Sequence, residues 1–397
     1  MKKSKLVIIL SALLCILFFF IYNFSILDKE NLYSVSEIFQ PAFNDDSDIK
    51  GLEEALKRQV EYFEKVDLKN TPQIDHPAFS PEKIKETINK FYNFILSKPT
   101  SDDFNKFIKD NFKVYKAKGS GIFQKILFTG YYTPLIKGSL KKTSKYIHPI
   151  YRLPKDIVSA ELRSFSKNLE KKTIRGKVLD NRLVPYLTRQ EIDQKLMLAG
   201  KQLEMLWTDN YIDLFFLQIQ GSGIIELENN KQVNIGYAGV NGRPYVSIGK
   251  LLIEDNKIST ENMSMQAIKQ YFKNNPDDLE HYLYQNESYV FFKELSKDEF
   301  PKGSLNIPLV ANRSIAADPN VFPKGCLAYI ETEKPIFDDN GNIIKWEKFG
   351  SFVIDQDSGG AIKGSARIDI FFGKGETAQT TAGYFKQKGK MFYFSVN

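Results

Sequence analysis

The sequence predicts a mainly β protein of the α+β class, in which N-terminal helices precede a long region of strands. Two observations support this prediction. Between residues 48 and 112 apolar side chains recur every three or four residues, which is the helical period. From Gly121 onward short runs of aromatic and β-branched residues are separated by Gly, Pro and Asn, as in strands joined by turns. With 397 residues, the chain is long enough for two domains with sizeable cores.

The helical part contains two apolar series and two helix-start signals. Ser80 followed by Pro81 predicts an N-cap and a first-turn proline, and Thr100 with Asp103 predicts a capping box. We expect a second helical stretch between Glu261 and Leu283. The two series are Leu52, Leu56, Val60 and Phe63, then Ile84, Ile88, Phe91 and Ile95.

The β region contains several runs that predict strands because they combine aromatic and β-branched residues with flanking turn residues. These runs cover residues 126–128, 214–219, 329–330, 352–354 and 368–372.

Amino-acid composition excludes several classes of function. The chain has 3 His and 2 Cys, which excludes structural zinc, iron–sulfur clusters and a disulfide framework. Hydrolytic or lyase chemistry must therefore depend mainly on carboxylates, and we expect no cofactor and no metal. The net charge of +7 is spread along the chain rather than gathered in a basic patch, so we expect no nucleic-acid binding.

The first 28 residues predict export and attachment to a membrane. Three lysines precede an uncharged apolar run from Leu6 to Tyr22, which reaches the lower limit for a membrane-spanning helix. No A-x-A cleavage site follows, and the lysines favour a cytoplasmic N-terminus. We therefore expect an anchor in the inner membrane with the rest of the chain outside it. Cleavage of the segment, or lipidation at Cys15, stays open, although leucines before Cys15 fit a lipoprotein signal poorly.

Three aspartates near the C-terminus are candidate catalytic residues. Asp369 lies between two isoleucines in a predicted strand, where a carboxyl group must be either partnered or functional. Asp357 ends another apolar strand before Ser-Gly-Gly, and Asp318 lies in an Ala-Ala-Asp-Pro segment. The alternative is structural: each aspartate hydrogen-bonds a turn or pairs with Arg367 or Lys363.

Glycine-rich islands with tyrosine and amide side chains cover residues 128–134, 217–223 and 236–245. Tyrosine rings stack on sugar faces and amides bond to hydroxyl groups, so these islands suit a polysaccharide cleft. They match neither a dinucleotide fingerprint, nor a phosphate loop, nor a G-x-S-x-G elbow. The alternative is that the tyrosines belong to the core and that Gly221–Gly223 is a hairpin turn. The candidate substrate-binding residues are Thr129, Gly130, Tyr131, Tyr132, Gln218, Gln220, Gly221, Ser222, Gly223, Tyr237 and Asn241.

Taken together and in order, these motifs closely resemble the membrane-bound lytic murein transglycosylase A family. The resemblance runs from about Ile126 to the C-terminus. It implies a double-psi β-barrel domain whose C-terminal part is the 3D domain, a second β-rich domain inserted into it, and a cleft between them. The expected boundaries are 1–28 for the signal or anchor, 29–133 for the helical part of the barrel domain, 134–299 for the insert and 300–397 for the 3D part.

The resemblance also implies an activity. The family's three aspartates fall on Asp318, Asp357 and Asp369, with Asp369 as catalytic acid. The expected reaction is cleavage of the β-1,4 bond between N-acetylmuramic acid and N-acetylglucosamine in peptidoglycan glycan strands. The muramic acid C6 hydroxyl attacks its own anomeric carbon, so Asp369 serves first as acid and then as base, and 1,6-anhydro ends form.

Alternatives to this activity stay open at this point. One is a non-catalytic murein-binding envelope protein, and another is a conventional two-carboxylate glycosidase. Asp355 lies beside Asp357 and is a rival acid. The family places the protein in the periplasm at the outer membrane, whereas the N-terminal sequence favours the inner membrane. Protein partners are not predicted.

Overall fold

The computed structural model describes residues 31–71, 74–170, 172–296, 301–338 and 341–397. The predicted N-terminal anchor and Cys15 lie outside the described residues. Within the described ranges, no helix combines the length and apolar character needed to cross a membrane.

Along the described chain, helices come first, two groups of strands follow, and the C-terminal region is again rich in strands. The first half contains β1 (Leu32–Ser34), α1 (Ile49–Lys65), α2 (Pro81–Leu96), α3 (Ser101–Asn111), β2 (Phe112–Ala117), β3 (Ile126–Thr133), β4 (Leu135–Ser139), β5 (His148–Tyr151), β6 (Val158–Glu161), α4 (Leu162–Phe165), β7 (Thr173–Leu179), β8 (Arg182–Pro185), α5 (Arg189–Asp193) and β9 (Glu204–Thr208). The second half contains α6 (Tyr211–Gln220), β10 (Ser222–Leu227), β11 (Gln232–Val240), α7 (Ile248–Glu254), α8 (Met265–Asn274), α9 (Asp278–Gln285), β12 (Val290–Glu294), β13 (Ser314–Ala316), β14 (Leu327–Phe337), β15 (Ile343–Asp357), β16 (Arg367–Lys374), α10 (Glu376–Tyr384) and β17 (Lys386–Val396).

The N-terminal helices form where the sequence predicts them. The Ser80 side chain accepts a hydrogen bond from the Lys83 amide at the start of α2, and Thr100 and Asp103 form the capping box of α3. The apolar faces of all three helices belong to the same core as the large sheet. Packing of these faces stabilises the helices more than propensity does, because isolated helices of this length are marginal in water.

A closed six-stranded barrel forms the centre of this first unit. Its strands follow the order β17-β14-β15-β13-β16-β3, and β3 pairs with β17 to close the ring. β2 and then β1 extend the sheet beyond β17. The mainly β class with N-terminal helices is therefore confirmed, while the double-psi connectivity stays a prediction.

The barrel and the N-terminal segment are joined by a buried ion pair. Arg313 donates to both carboxylate oxygens of Asp45, each at 2.9 Å, and to the backbone carbonyl of Phe352 at 2.7 Å. Both side chains are almost fully buried. The guanidinium therefore fixes the segment before α1 against β15.

A second β unit lies between β3 and the later barrel strands. Its six-stranded sheet has the order β12-β11-β10-β4-β9-β5, and β6, β7 and β8 form a smaller sheet. Helices α6 to α9 pack on the larger sheet around a hydrophobic core that is separate from the core of the barrel. The two units meet where β3 ends at Thr133 and β4 begins at Leu135.

One predicted strand is a helix. The run 214–219 lies in α6, which begins at the Asn210 cap and ends at Gly221. The run is buried nearly all round, so it shows no helical period and reads equally well as a buried strand. The structural alternative for 221–223, a hairpin turn, does not hold: Gly221 ends α6 with φ of 75°, and β10 begins at Ser222.

Replacing Gly221 with Ala tests how the helix ends. A Cβ at this position would meet no atom within 4 Å, so the cost is conformational only. Left-handed backbone costs a non-glycine residue about 1–2 kcal/mol, and we expect the unfolding free energy to fall by that amount in denaturant titration. Gly360→Ala is the matched control, because Gly360 is equally open but is not left-handed. Equal effects of the two substitutions would contradict the explanation.

Candidate active site

Four neighbouring barrel strands place the key residues in one row. Asp369 on β16 pairs with Thr129 on β3 and with Ala316 on β13, and Ala316 pairs in turn with Asp357 on β15. Directly paired residues face the same side of a sheet, so these side chains share a face. With strands about 4.8 Å apart, the backbones of Asp369 and Asp357 lie roughly 10 Å from each other.

Asp369 is held by one of its two carboxylate oxygens. The Thr129 hydroxyl donates to Oδ1, and Nε of Arg367 lies 3.4 Å from the same atom. Within the described part of the chain Oδ2 has no hydrogen-bond partner. The side chain is 14% exposed. The carboxyl group is thus oriented by the protein and keeps one oxygen available to a ligand.

Asp357 is saturated by protein donors. Its Oδ2 accepts from the Tyr131 hydroxyl at 2.9 Å, and its Oδ1 accepts from the backbone amides of Ser304 and Ser358 at 2.9 and 2.7 Å. Burial raises the pKa of Asp357, while these bonds and Lys324 oppose the rise. Because both oxygens are occupied, the group is better suited to position Tyr131 than to attack a substrate.

Asp355, the rival acid, is enclosed in the barrel. Its exposed fraction is 0%, and its two oxygens accept from Lys324 Nζ at 2.5 Å and from the Tyr393 hydroxyl at 3.2 Å. Burial raises its pKa, and the Lys324 ammonium and the tyrosine hydroxyl oppose the rise. A substrate cannot reach this carboxylate without opening the barrel.

Asp318 fastens two loops together. Its Oδ1 accepts from the backbone and side-chain amides of Asn320, and its Oδ2 accepts from the Gly364 amide at 2.9 Å. Burial acts to raise its pKa, but the two backbone bonds and the nearby Lys363 outweigh it and hold the pKa below its ordinary value. Asp318 is therefore an ionised anchor for the loop that precedes β16.

A metal site at these acids is not supported by their contacts. Both oxygens of Asp318, Asp355 and Asp357 are engaged by protein donors. Across the described ranges, no group of three His, Cys, Asp or Glu residues is arranged to hold a metal ion.

The island on β3 lies at the site. Thr129 and Tyr131 contact the two aspartates directly, whereas Tyr132 points to the other side, is buried, and places its hydroxyl 3.9 Å from the Met265 sulfur. Burial, with a smaller effect of Asp213, raises the pKa of Tyr132 to about 12. A Cβ on Gly130 would lie 2.4 Å from the Phe372 ring, so only glycine fits there.

The island after α6 joins the two units. The Gln220 side-chain oxygen accepts from the Tyr132 amide at 3.0 Å, and Gly221 and Ser222 are partly exposed beside it. Gly223 is buried, and a Cβ there would meet the Leu217 side chain at 2.3 Å. Gln218 is buried within α6.

The third island separates into an exposed and a buried part. Tyr237 is exposed on β11. Asn241 is fully buried; its amide donates to the carbonyls of Leu187 and Glu287, each at 2.8 Å, and its oxygen accepts from the Tyr289 amide at 2.9 Å. Asn241 is therefore placed to hold the following loop rather than to meet a sugar.

Two important side chains are missing from the set predicted from sequence. Lys324 contacts Asp355 together with the carbonyls of Ala317 and Asp357, so it supports the whole row. Tyr245, in the loop held by Asn241, is 36% exposed, and the charges of Arg367 and Asp369 act on its hydroxyl. Burial is the main cause of its raised pKa. In the sequence, the only signal for Tyr245 is its position in a Gly- and Tyr-rich island.

Fold and site together define a class: a β-barrel protein with a second β unit between its strands and a partly exposed, hydrogen-bonded carboxyl group on the barrel, that of Asp369. The model of the MltA-specific insert domain matches residues 127–293, and that of the 3D domain matches residues 313–395. A relative from Buchnera aphidicola, named membrane-bound lytic murein transglycosylase A homolog, is 32% identical and covers 80% of this chain and 79% of its own.

Solved structures show the same fold. A membrane-bound lytic murein transglycosylase from Agrobacterium tumefaciens superposes with a TM-score of 0.76 at 23% identity, covering 92% of this chain and 98% of its own. Escherichia coli MltA with bound chitohexaose gives a TM-score of 0.66 at 23% identity, covering 93% and 95%. The chain belongs to the membrane-bound lytic murein transglycosylase A family, and the resemblance noted in the sequence is confirmed.

Replacing Lys324 with Met tests its support of the row. The change leaves the Asp355 carboxylate buried without a counter-ion, and breaking a buried pair costs about 3–5 kcal/mol. An unpaired buried carboxyl has a folded pKa above its unfolded value, so the variant gains protons on folding and loses stability as pH rises from about 4 toward that value. We therefore expect the deficit, measured by denaturant titration, to be large at neutral pH and smaller in acid.

Lys345→Met is the control for this experiment, because Lys345 and Glu347 form an exposed pair. Exposed pairs contribute about 0–1 kcal/mol, so this variant should remain close to the parent. A Lys324→Met deficit that does not change with pH would contradict the role assigned to the pair.

Proposed function

We propose that the protein is a lytic transglycosylase that cleaves the β-1,4 bond between N-acetylmuramic acid and N-acetylglucosamine in peptidoglycan. One observation carries the proposal. Of the aspartates 318, 355, 357 and 369, only Asp369 keeps an oxygen without a protein partner in the described part of the chain, and it is held rigidly by the other. A single positioned carboxyl group suits a reaction in which one group transfers a proton twice.

The proposed reaction has two proton transfers and consumes no water. Protonated Asp369 first donates through Oδ2 to the glycosidic oxygen, and the bond from that oxygen to the muramic acid anomeric carbon breaks. The Asp369 carboxylate then accepts the proton of the C6 hydroxyl as its oxygen bonds to the anomeric carbon. The products are a 1,6-anhydro-muramic acid end and a new free hydroxyl on N-acetylglucosamine, and Asp369 is again protonated.

Neighbouring side chains hold Asp369 in place for both proton transfers. The Thr129 hydroxyl fixes Oδ1, which leaves Oδ2 as the atom that exchanges the proton. Arg367 is near enough to stabilise the carboxylate formed after the first transfer. Asp357 and Asp318 act as positioning residues, through Tyr131 and through the loop at Gly364.

The saturated state of Asp357 disfavours a conventional two-carboxylate glycosidase, which needs a second carboxylate free to attack the sugar or to activate water. Both oxygens of Asp357 already accept protein hydrogen bonds. A protein that only binds murein would not require the free oxygen of Asp369.

We propose that the glycan lies between the barrel and the second unit, residues 134–299. The separate core of that unit supports its assignment as an inserted domain. Exposed Tyr237 and Tyr245 offer ring faces to sugars, and Ser222 and Gln220 offer polar groups beside the β3 island. The E. coli relative with bound chitohexaose, a chain of N-acetylglucosamine units, supports a polysaccharide ligand.

We further propose that residues 1–28 attach the protein to a membrane on the periplasmic side. The apolar run from Leu6 to Tyr22 supports attachment, and the curated relatives are named membrane-bound. Inner-membrane and outer-membrane attachment are distinguished by whether the mature protein keeps this segment.

Asp369→Asn should abolish turnover while the fold persists. Asparagine keeps the volume and the acceptor for Thr129 but cannot exchange the proton. General acid–base catalysis is worth about 10²–10⁴-fold, and one group here performs both transfers, so we expect a loss at or above the upper end. Release of fragments from purified murein measures the rate, and mass spectrometry identifies the product, which should be lighter by one water than a hydrolysis product.

Asp357→Asn and Asp355→Asn complete the test. Asp357→Asn should cost less activity than Asp369→Asn, because Asp357 acts through Tyr131. Asp355→Asn should mainly lower the free energy of unfolding and should have little direct effect on the chemical step. Fragments with reducing ends that incorporate solvent oxygen would contradict the proposed reaction, as would near-normal activity of Asp369→Asn.

A further inference from the structure

The loop between β2 and β3 presents two apolar side chains to solvent. Ile122 is 95% exposed and Phe123 is 79% exposed. We call residues 119–124 the β2–β3 tip. Contiguous exposed apolar surface on a folded protein is typical of a protein-binding or membrane-binding site.

Backbone bonds hold the tip in a fixed shape. The Ser120 amide donates to the Lys125 carbonyl at 2.8 Å, and the Lys125 amide donates back at 3.1 Å. A Cβ on Gly119 would lie 2.4 Å from the backbone of Gln124, so the two sides of the loop are in close contact. The apolar pair therefore projects outward and cannot fold back onto the barrel without breaking these bonds.

The tip lies where the chain enters the described structure. Leu32 pairs with Ala117, and the Lys118 amide donates to the Asn31 carbonyl at 2.8 Å. The apolar run that ends at Tyr22 is separated from Asn31 by residues 23–30. The nine Cα steps from Tyr22 to Asn31 span at most about 32 Å. A membrane that holds the run therefore lies within that distance of the base of the tip.

Lysines surround the base of the tip. Lys116 lies near the end of β2, Lys118 follows the strand, Lys125 precedes β3, and Lys390 on β17 lies beside them. Burial, and then the ammonium groups of Lys390 and Lys125, lower the pKa of Lys116, which places the charges close together. Glu331 faces this group and pairs with Lys390 at 3.4 Å. The excess positive charge complements anionic headgroups.

We propose that the β2–β3 tip docks on a lipid bilayer that contains anionic lipids, with Ile122 and Phe123 in the interfacial region and the lysines at the headgroups. The inference rests on the proposed N-terminal attachment and extends it. The anchor supplies the tether, and the tip supplies a second contact that fixes the orientation of the barrel relative to the membrane. Two contacts are needed for this, because a single point of attachment leaves rotation about it free.

Fluorescence of the full-length protein in vesicles tests the proposal. Phe123→Trp places a probe at the tip, and Phe165→Trp is the matched control, because Phe165 is 74% exposed on the second unit. The parent with Trp207 and Trp346 gives the background. In vesicles of phosphatidylglycerol and phosphatidylcholine with brominated acyl chains, we expect quenching of most of the fluorescence added at position 123 and none of that added at position 165.

Lysine variants test whether positive charge at the base of the tip is needed for docking. Lys125→Gln should reduce quenching of the tip probe in anionic vesicles, whereas Lys167→Gln, on the second unit, should not. In vesicles of phosphatidylcholine alone, tip quenching should fall for Phe123→Trp with all its lysines intact, and the difference between the two lysine variants should disappear. Equal quenching in both lipid compositions would overturn the assigned role of the lysines.

The remaining outcomes separate this inference from the other proposals. A protein that floats with the vesicles while position 123 stays unquenched overturns the tip contact alone. A protein that does not float overturns the tip contact and the anchor together. Shielding of position 123 from aqueous acrylamide without lipid quenching would show a protein contact instead and would also overturn it. Fragment release from soluble murein, measured in parallel, reports the catalytic proposal independently.

Discussion

The candidate site depends on one buried ion pair, between Lys324 and Asp355. Neither side chain is exposed, and the ammonium also donates to the carbonyls of Ala317 and Asp357. An unpaired charge in this position would be prohibitive, so the pair forces three chain segments to meet at one point. The pair therefore fixes the position at which β15 ends, at Asp357, and the position at which the loop of Asp318 begins. The row of residues at the site follows from this constraint.

Four aspartates in this region have different roles because their partners and burial differ. Asp355 is a buried counter-ion, Asp318 is an ionised loop anchor, and Asp357 is a saturated acceptor that holds Tyr131. Of these four, only Asp369 combines a fixed orientation with an oxygen that has no partner in the described part of the chain. A carboxyl group that exchanges protons must be both restrained and accessible, and the other three satisfy only the first requirement.

Sequence patterns predicted the elements whose signals are local. Capping at Ser80 and Thr100, and the strands around residues 352–354 and 368–372, need only neighbouring residues to be recognised. Helix α6 was predicted as a strand because burial on all sides removes its period. Lys324 was not identified, since its importance comes from a partner 31 residues away. The roles of Asp355 and Asn241 likewise required knowledge of burial. An aspartate in a turn, in the core or at a catalytic site is the same residue type in the sequence.

Strand β3 connects the proposed functions of the molecule. It begins next to the β2–β3 tip, carries Thr129 and Tyr131 at its centre, and leads from Thr133 into the second unit. Six residues separate Phe123 from Thr129, which at about 3.3 Å per residue is at most roughly 20 Å. If the tip rests on a bilayer, Thr129 can therefore stand no farther than that from the interface. Because β3 is paired on both sides, with β16 and β17, this distance is set by the barrel itself and does not vary with the tether.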